Sequence, residues 1–435
     1  MLLIEADSGR VLHAENATVP WYPASITKVM TAYVAFQAVK EGRLRLDSVL
    51  TVSERAAAQQ PSKMGFDPGT EVTVENALKM MIVRSANDIA VVLAEGVSGS
   101  LEGFIGEMNE ASRRLGMTQT SWTNPNGLPD PGQVSSARDL AILARAILRE
   151  YPQYESYWRI PAIRYGKTLI RNHNSLIGRY DGADGMKTGF ICSSGFNLVA
   201  SATRNGRRLI AVMLGSQSAA VRGAKTAGLL ERGFSSGTSP LSLFAPSLGT
   251  VDKLQPINMA PPDLREVICG KNRRRPPAEA ADDHPTAAAI AGFDLPSTQS
   301  YRLSSLPPYN GKVSALLGPK VSVEQPHIVY AGRPRNAHEA IAAATSAVPL
   351  PRAPGRATAA TSPQAGQMAS VSPRSAMPAT GQRAPGSLLS FAPPANAAVP
   401  PLTAIPGSVP ETEAMPKVRM PMPRPRPGRA AARRR

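Results

Sequence analysis

Proline divides this chain more sharply than any other residue. Nine of its 41 prolines precede residue 236 and 32 follow. A 200-residue stretch so rich in proline, alanine and serine, with few aromatics, cannot bury enough apolar surface to offset the entropy of ordering it. Residues 236–435 are therefore expected to be mostly disordered, with short ordered pieces around 264–270 and 336–347 and no alternating strands. Residues 1–235 must hold the core, and removing 236–435 is expected to leave that domain working. Charge divides at the same point: 26 Lys and Arg stand against 21 Asp and Glu up to residue 235, and 23 against 11 beyond it. The basic end, closing on Arg433-Arg434-Arg435, is expected to stay solvated or to touch an anionic wall or membrane surface. No nucleic-acid partner is expected.

Residues 2–14 read as strand, turn at Asp7-Ser8-Gly9, and strand. Apolar runs predict helices over 25–39, 74–81, 88–97, 101–115 and 137–149. Runs 196–203 and 207–214 flank Arg204-Asn205-Gly206, and Asn-Gly between β-rich segments is a strong hairpin signal. A further strand over 185–190 and a closing helix over 219–232 complete the pattern. The expected class is α+β: an antiparallel sheet with packed helices and a helical insert, followed by a long disordered tail.

Three short polar motifs interrupt this apolar frame. Ser25 and Lys28, in Pro23-Ala24-Ser25-Ile26-Thr27-Lys28, are three apart and share one helix face. An amine beside a hydroxyl can activate a serine without histidine. Pro23 marks entry to the helix, so its positive end and burial would both disfavour a protonated Lys28 and free it as a base. Ser85-Ala86-Asn87 lies between two buried helices, where it reads either as an N-cap or as a proton-relaying hydroxyl beside a substrate-orienting amide. Lys187-Thr188-Gly189 falls on a strand. It reads either as a solvated edge with a glycine bulge or as an edge that pairs with an extended peptide.

Ser-x-x-Lys, Ser-x-Asn and Lys-Thr-Gly in this order resemble the motifs of penicillin-recognising serine enzymes. The supporting runs are Asp7-Ser8-Gly9-Arg10, Met108-Asn109-Glu110-Ala111, Leu115-Gly116-Met117, Asn126-Gly127-Leu128 and Asp184-Gly185-Met186. With them, nearly all of residues 1–235 resembles the low-molecular-mass penicillin-binding proteins that act as serine-type D-alanyl-D-alanine carboxypeptidases. The resemblance implies a β-lactamase/transpeptidase-like fold and cleavage of peptidoglycan stem peptides ending in D-Ala-D-Ala. β-Lactams would be inhibitors, and no cofactor is implied. Ser25 would form the acyl-enzyme, Lys28 take its proton and Ser85 pass a proton to the leaving amine beside Lys187. Asn87 would hold the substrate amide. Thr188 and Arg222 would clamp the terminal carboxylate, and the N–H groups of Ser25 and Phe190, next to Gly189, would form the oxyanion hole. His173, Phe190 and Ile191 depart from residues common in the family.

The alternatives are a D,D-endopeptidase with the same machinery, a serine β-lactamase, and a non-catalytic wall-binding scaffold. No Glu-x-x-Leu-Asn run supports the β-lactamase. The Gly-x-Ser-x-Gly spacing occurs at Gly233-Phe234-Ser235-Ser236-Gly237, after the closing helix and not at a strand-to-helix elbow, so it does not point to a Ser-His-Asp hydrolase, and no His-Glu-x-x-His or paired Cys/His spacing points to zinc. No apolar stretch approaches the ~20 residues of a membrane-spanning helix. The family acts outside the cytoplasmic membrane, so a periplasmic or extracytoplasmic site is expected. Met1 already reads as strand, so an exporting segment is expected upstream of it. Cys192 and Cys269 could pair in an oxidising space, but two separate thiols are the expectation.

Overall fold

The structure is a computed structural model of the whole chain. It describes residues 1–236, 248–271, 302–304, 306, 313–319 and 322–332. The expected disorder of the tail, its contact with anionic surfaces and the piece at 336–347 fall outside the described residues.

Two strands open the chain, β1 (Leu2–Glu5) and β2 (Val11–Glu15). A helical region follows: α1 (Thr27–Lys40), a small ribbon of β3 (Val49–Thr51) and β4 (Glu71–Thr73) enclosing α2 (Glu54–Ala57), then α3 (Val74–Arg84), α4 (Asn87–Ser98), α5 (Leu101–Leu115), α6 (Ala137–Glu150) and α7 (Glu155–Trp158). A hairpin of β5 (Ala162–Tyr165) and β6 (Thr168–Arg171) leads to three long strands, β7 (Ala183–Ile191), β8 (Gly195–Arg204) and β9 (Arg207–Ser216), and to α8 (Ala219–Ser236). Later residues add α9 (Arg265–Cys269), β10 (Arg302–Ser304) and β11 (His327–Val329).

The main sheet has the order β10-β2-β1-β9-β8-β7 and is antiparallel throughout. The β8–β9 turn places Asn205 and Gly206 at φ 49° and 75°. Two left-handed residues in succession give the turn whose twist matches the flanking strands, which is why Asn-Gly fixes this hairpin. The sheet is buried on both faces. Leu2, Ile4, Val199, Ile210 and Val212 face the helical region, while Leu3, Leu12, Leu198, Ala200 and Met213 face α8. Alternate residues of β1 thus enter different cores, as the period of a strand requires. Helix starts carry the expected caps: Thr73, Ser100 and Ser136 accept the backbone N–H of Asn76, Gly103 and Asp139.

Packing continues past residue 235, and strands do occur there. β10 extends the sheet by pairing with β2, β11 runs parallel beside β5, and Gly318 exchanges hydrogen bonds with Arg179. The two cysteines, expected as separate thiols, form the Cys192–Cys269 disulfide. The Leu264 N–H donates to Ser193 O at 2.9 Å, which lays α9 against the β7–β8 turn and brings the two sulfurs side by side across 77 residues of chain. Composition conveys none of this, because each piece docks by pairing onto an edge that already exists. Among the described residues no single helix is long and apolar enough to cross a membrane.

Candidate active site

Ser25 lies in the short 3-10 turn Ala24–Ile26 that leads directly into α1. That turn is held from three sides. Ala24 has φ +50°. Gly127 packs so close to it that a Cβ there would come within 1.9 Å of the Ala24 carbonyl oxygen. Asn197 on β8 donates to Tyr22 O (3.0 Å) and Pro23 O (3.4 Å). Gly189 on β7 also touches the turn, since a Cβ there would lie 2.8 Å from Pro23 O and 3.0 Å from Ser25 N. Gly189 therefore lets the strand close onto the serine-bearing turn, and it brings the backbone after it beside the Ser25 N–H.

Lys28, one helical turn on, is fully buried. Its Nζ lies 3.0 Å from Ser25 Oγ, 2.7 Å from Asn87 Oδ1 and 2.6 Å from the Asn126 carbonyl oxygen. Ser85 lies in the break between α3 and α4, and Asn87 opens α4. Ser85 is left-handed (φ 61°, ψ 33°), the residue between them, Ala86, is extended, and neither Ser85 nor Asn87 caps a helix through its side chain. This unusual backbone frees both side chains for the cleft. Ser85 Oγ accepts from Lys187 Nζ at 2.9 Å. Both ends of the Asn87 amide are engaged, with Oδ1 on Lys28 and Nδ2 donating to Gln60 O at 2.8 Å.

Lys187-Thr188-Gly189 sits in the middle of β7, the edge strand of the main sheet, paired in register with Val199, Leu198 and Asn197. Its outer edge faces the Ser25 turn. Lys187 and Thr188 are both buried. Arg222, on α8, is 1% exposed, and its guanidinium donates to Asn197 O (3.3 Å) and His173 O (3.2 Å). It lies 5.8 Å from the Phe196 ring centroid, and Phe196 stacks on Phe190 at 4.2 Å. Phe190 and Ile191 are half-buried at the end of β7.

The structure thus gathers all three motifs into one cleft between the sheet edge and the helical region. Two hydroxyl–amine pairs stand there, Ser25 with Lys28 and Ser85 with Lys187. Sequence reasoning missed the residues that fix them. Asn126 holds Lys28 through its carbonyl and donates from Nδ2 to Gln59 Oε1 at 2.8 Å. Asn197 links the Ser25 turn to the sheet and accepts the Gly215 N–H. The run Asn124-Pro125-Asn126-Gly127 carries a turn signal that could have pointed to the first. Nothing local marks Asn197 within its apolar strand. Among the described residues, no three His, Cys, Asp or Glu side chains are placed to hold a metal ion.

Residues 1–218 match the family described as D-alanyl-D-alanine carboxypeptidase. The D-alanyl-D-alanine carboxypeptidase DacC of Escherichia coli is 38% identical over 240 residues, which are 54% of this chain and 60% of that protein. DacB2 of Mycobacterium tuberculosis is 32% identical over 219 residues, 49% of this chain and 73% of that protein. Among solved structures, penicillin binding protein 5 from Haemophilus influenzae superposes with a TM-score of 0.52 at 38% identity, covering 54% of this chain and 70% of that one. The matches fall on the sheet, the helical region and the cleft between them, and the chain belongs to the D-alanyl-D-alanine carboxypeptidase family.

Proposed function

We propose that the protein is a serine D,D-carboxypeptidase that removes the terminal D-alanine from peptidoglycan stem peptides, through an acyl-enzyme on Ser25. The observation that carries this reading is the environment of Lys28 Nζ. A neutral amine has two N–H groups and one lone pair. Asn87 Oδ1 and Asn126 O can take the two N–H groups, which leaves the lone pair for the Ser25 hydroxyl proton. Full burial makes a charge on this nitrogen costly, which supports the same assignment.

The peptide would lie along the outer edge of β7, with its terminal carboxylate toward Thr188 and Arg222. Ser25 Oγ attacks the carbonyl carbon of the penultimate residue as Lys28 takes the hydroxyl proton. The oxyanion receives the N–H groups of Ser25 and Phe190, which the packing of Gly189 on the Ser25 turn supports. Collapse breaks the C–N bond, and Ser85 passes a proton to the departing D-alanine amine while Lys187 holds the Ser85 oxygen. Water then releases the shortened peptide. A β-lactam would enter by the same attack and leave its acyl group on Ser25. Paired Cys192 and Cys269 suit an oxidising compartment, in keeping with an extracytoplasmic enzyme.

Fluorescent penicillin labelling and D-alanine release from a pentapeptide test the reading together, with Ser25→Ala alongside. Stoichiometric labelling, lost in Ser25→Ala, and D-alanine release are expected. Labelling that survives Ser25→Ala defeats the nucleophile assignment. Labelling without D-alanine release shifts the reading to an endopeptidase or a β-lactamase, which adduct lifetime separates.

A further inference from the structure

We propose that the segment 257–269, bolted to the β7–β8 turn by the Cys192–Cys269 disulfide, is a positioning element for the acyl-transfer groups. It acts through Phe190 and the Trp21 end of the Ser25 turn. The inference rests on the acyl-transfer reading above.

The two backbone donors of the oxyanion hole come from separate pieces of chain, and both pieces end on one apolar cluster. Leu264 and Ile268, 1% and 3% exposed, pack with Val19 and Trp21, and Phe190, Ile257 and Met259 close over them. Trp21 precedes Ser25 by four residues, and its indole N–H donates to Ser194 O at 3.1 Å. Phe190 precedes Cys192 by two residues. The Leu264 N–H on Ser193 O and the disulfide then fasten α9 to the same turn. Segment 257–269 is thus a wedge that packs against both the chain that delivers the Ser25 N–H and the chain that delivers the Phe190 N–H. A second path leads from the wedge to the carboxylate clamp, because Phe190 stacks on Phe196 and Phe196 lies beneath the Arg222 guanidinium. Cys269 lies outside residues 1–218, which carry the family match.

Displacing a reacting or stabilising group by a fraction of an ångström costs rate, whereas loosening the fold costs active molecules. The test separates the two. The full-length chain, its Cys192→Ser/Cys269→Ser double variant and Leu264→Ala with the disulfide intact are labelled with a fluorescent penicillin. Both the final label per protein and the acylation rate constant are read, with kcat and KM for a D-Ala-D-Ala pentapeptide. Near-complete labelling is expected in all three. The acylation rate constant should fall about tenfold in the double variant and less in Leu264→Ala, with kcat falling more than KM rises. Reduced labelling at an unchanged rate constant overturns the inference, since the wedge would then only hold the fold together. Complete labelling at the native rate overturns it as well. If the double variant does not fold, Leu264→Ala decides by the same two readings. A native chain that takes no label overturns the acyl-transfer reading first, and the positioning inference with it.

Discussion

Along β7 two regions adjoin that are built in opposite ways. The Ser25, Lys28, Asn87 and Lys187 cluster is polar, buried except at the half-buried Ser25, and held by hydrogen bonds of 2.6–3.0 Å. The clasp at Phe190 and Cys192 is apolar and is closed by one covalent bond to residues 77 positions away. In the first region each residue is chosen for its functional group, and loss of one leaves a buried partner unsatisfied. In the second, shape and attachment count, and several apolar side chains could serve. The difference predicts that damage to the first removes chemistry from a folded protein, whereas damage to the second is graded.

Ser25→Ala should have the largest effect. It is expected to abolish penicillin labelling and to lower D-alanine release by at least about 10⁴-fold, with thermal unfolding almost unchanged. Lys28→Ala should approach it in rate, because it removes the proposed base and the donor to the Asn87 amide oxygen. A Lys28→Ala enzyme within tenfold of native activity would break the contrast. Gly127→Ala comes next and acts from outside the motifs. Gly127 has φ +81°, and an added Cβ would meet the Ala24 carbonyl oxygen at 1.9 Å. A loss of about 2–4 kcal/mol is expected by denaturant titration, together with slower acylation, because the atom that must give way adjoins the nucleophile.

Truncation addresses the second region. A chain ending at Ser236 lacks the clasp and the strands β10 and β11, whereas one ending at Gly332 keeps them. A disulfide closing a long loop contributes roughly 2–4 kcal/mol. The shorter chain should therefore melt about 5–15 °C below the longer one by calorimetry, and equal melting temperatures would reduce the docked pieces to ornament. Composition had suggested that removing everything after residue 235 would leave activity largely intact.

That contrast shows what was legible. Asn205-Gly206, the helices and the three motifs are local signals, each contained in a few neighbouring residues, and the structure assembles them as expected. The missed elements depend on partners distant in sequence. β10 and β11 are three residues each and exist only as additions to β2 and β5. The disulfide depends on Leu264 docking at Ser193, and Asn126 reaches Lys28 across 98 residues. The hairpin at 162–171, like the turn at 124–127, is a local signal that was overlooked. Ile163, Tyr165, Leu169 and Ile170 surround a Gly166-Lys167 turn, and its short strands stood hidden between a helix and a longer sheet.

The smallest expected effect concerns the far edge of the sheet, where the chain after residue 235 adds β10. His13 is fully buried on β2, in register with Ser304, and its Nε2 lies 3.6 Å from the Glu15 carboxylate. Burial lowers its pKa below 6.5. Glu15 opposes that shift, and the Met1 amino group and Arg232 add to it. Well above pH 6.5 the imidazole is neutral in both folded and unfolded chains, so its contribution to stability is complete. Below that, the unfolded chain takes up the proton first, and stability falls until the folded value is reached. Thermal unfolding should therefore show stability falling between pH 7 and pH 5, and His13→Leu should lessen that fall; the Met1 amino group, lowered by burial to about 6, and His327, also lowered by burial, supply the remainder. Glu5 cannot produce this slope. Its carboxyl is held down to about 2, first by the Arg10 hydrogen bond, so its contribution is present above about 4.5 and lost only as pH falls toward 2. The slope should also persist in Ser25→Ala, because it arises at the edge where β10 docks and not in the cleft. A slope that vanished with the nucleophile and survived His13→Leu would place the titrating group in the catalytic cluster instead.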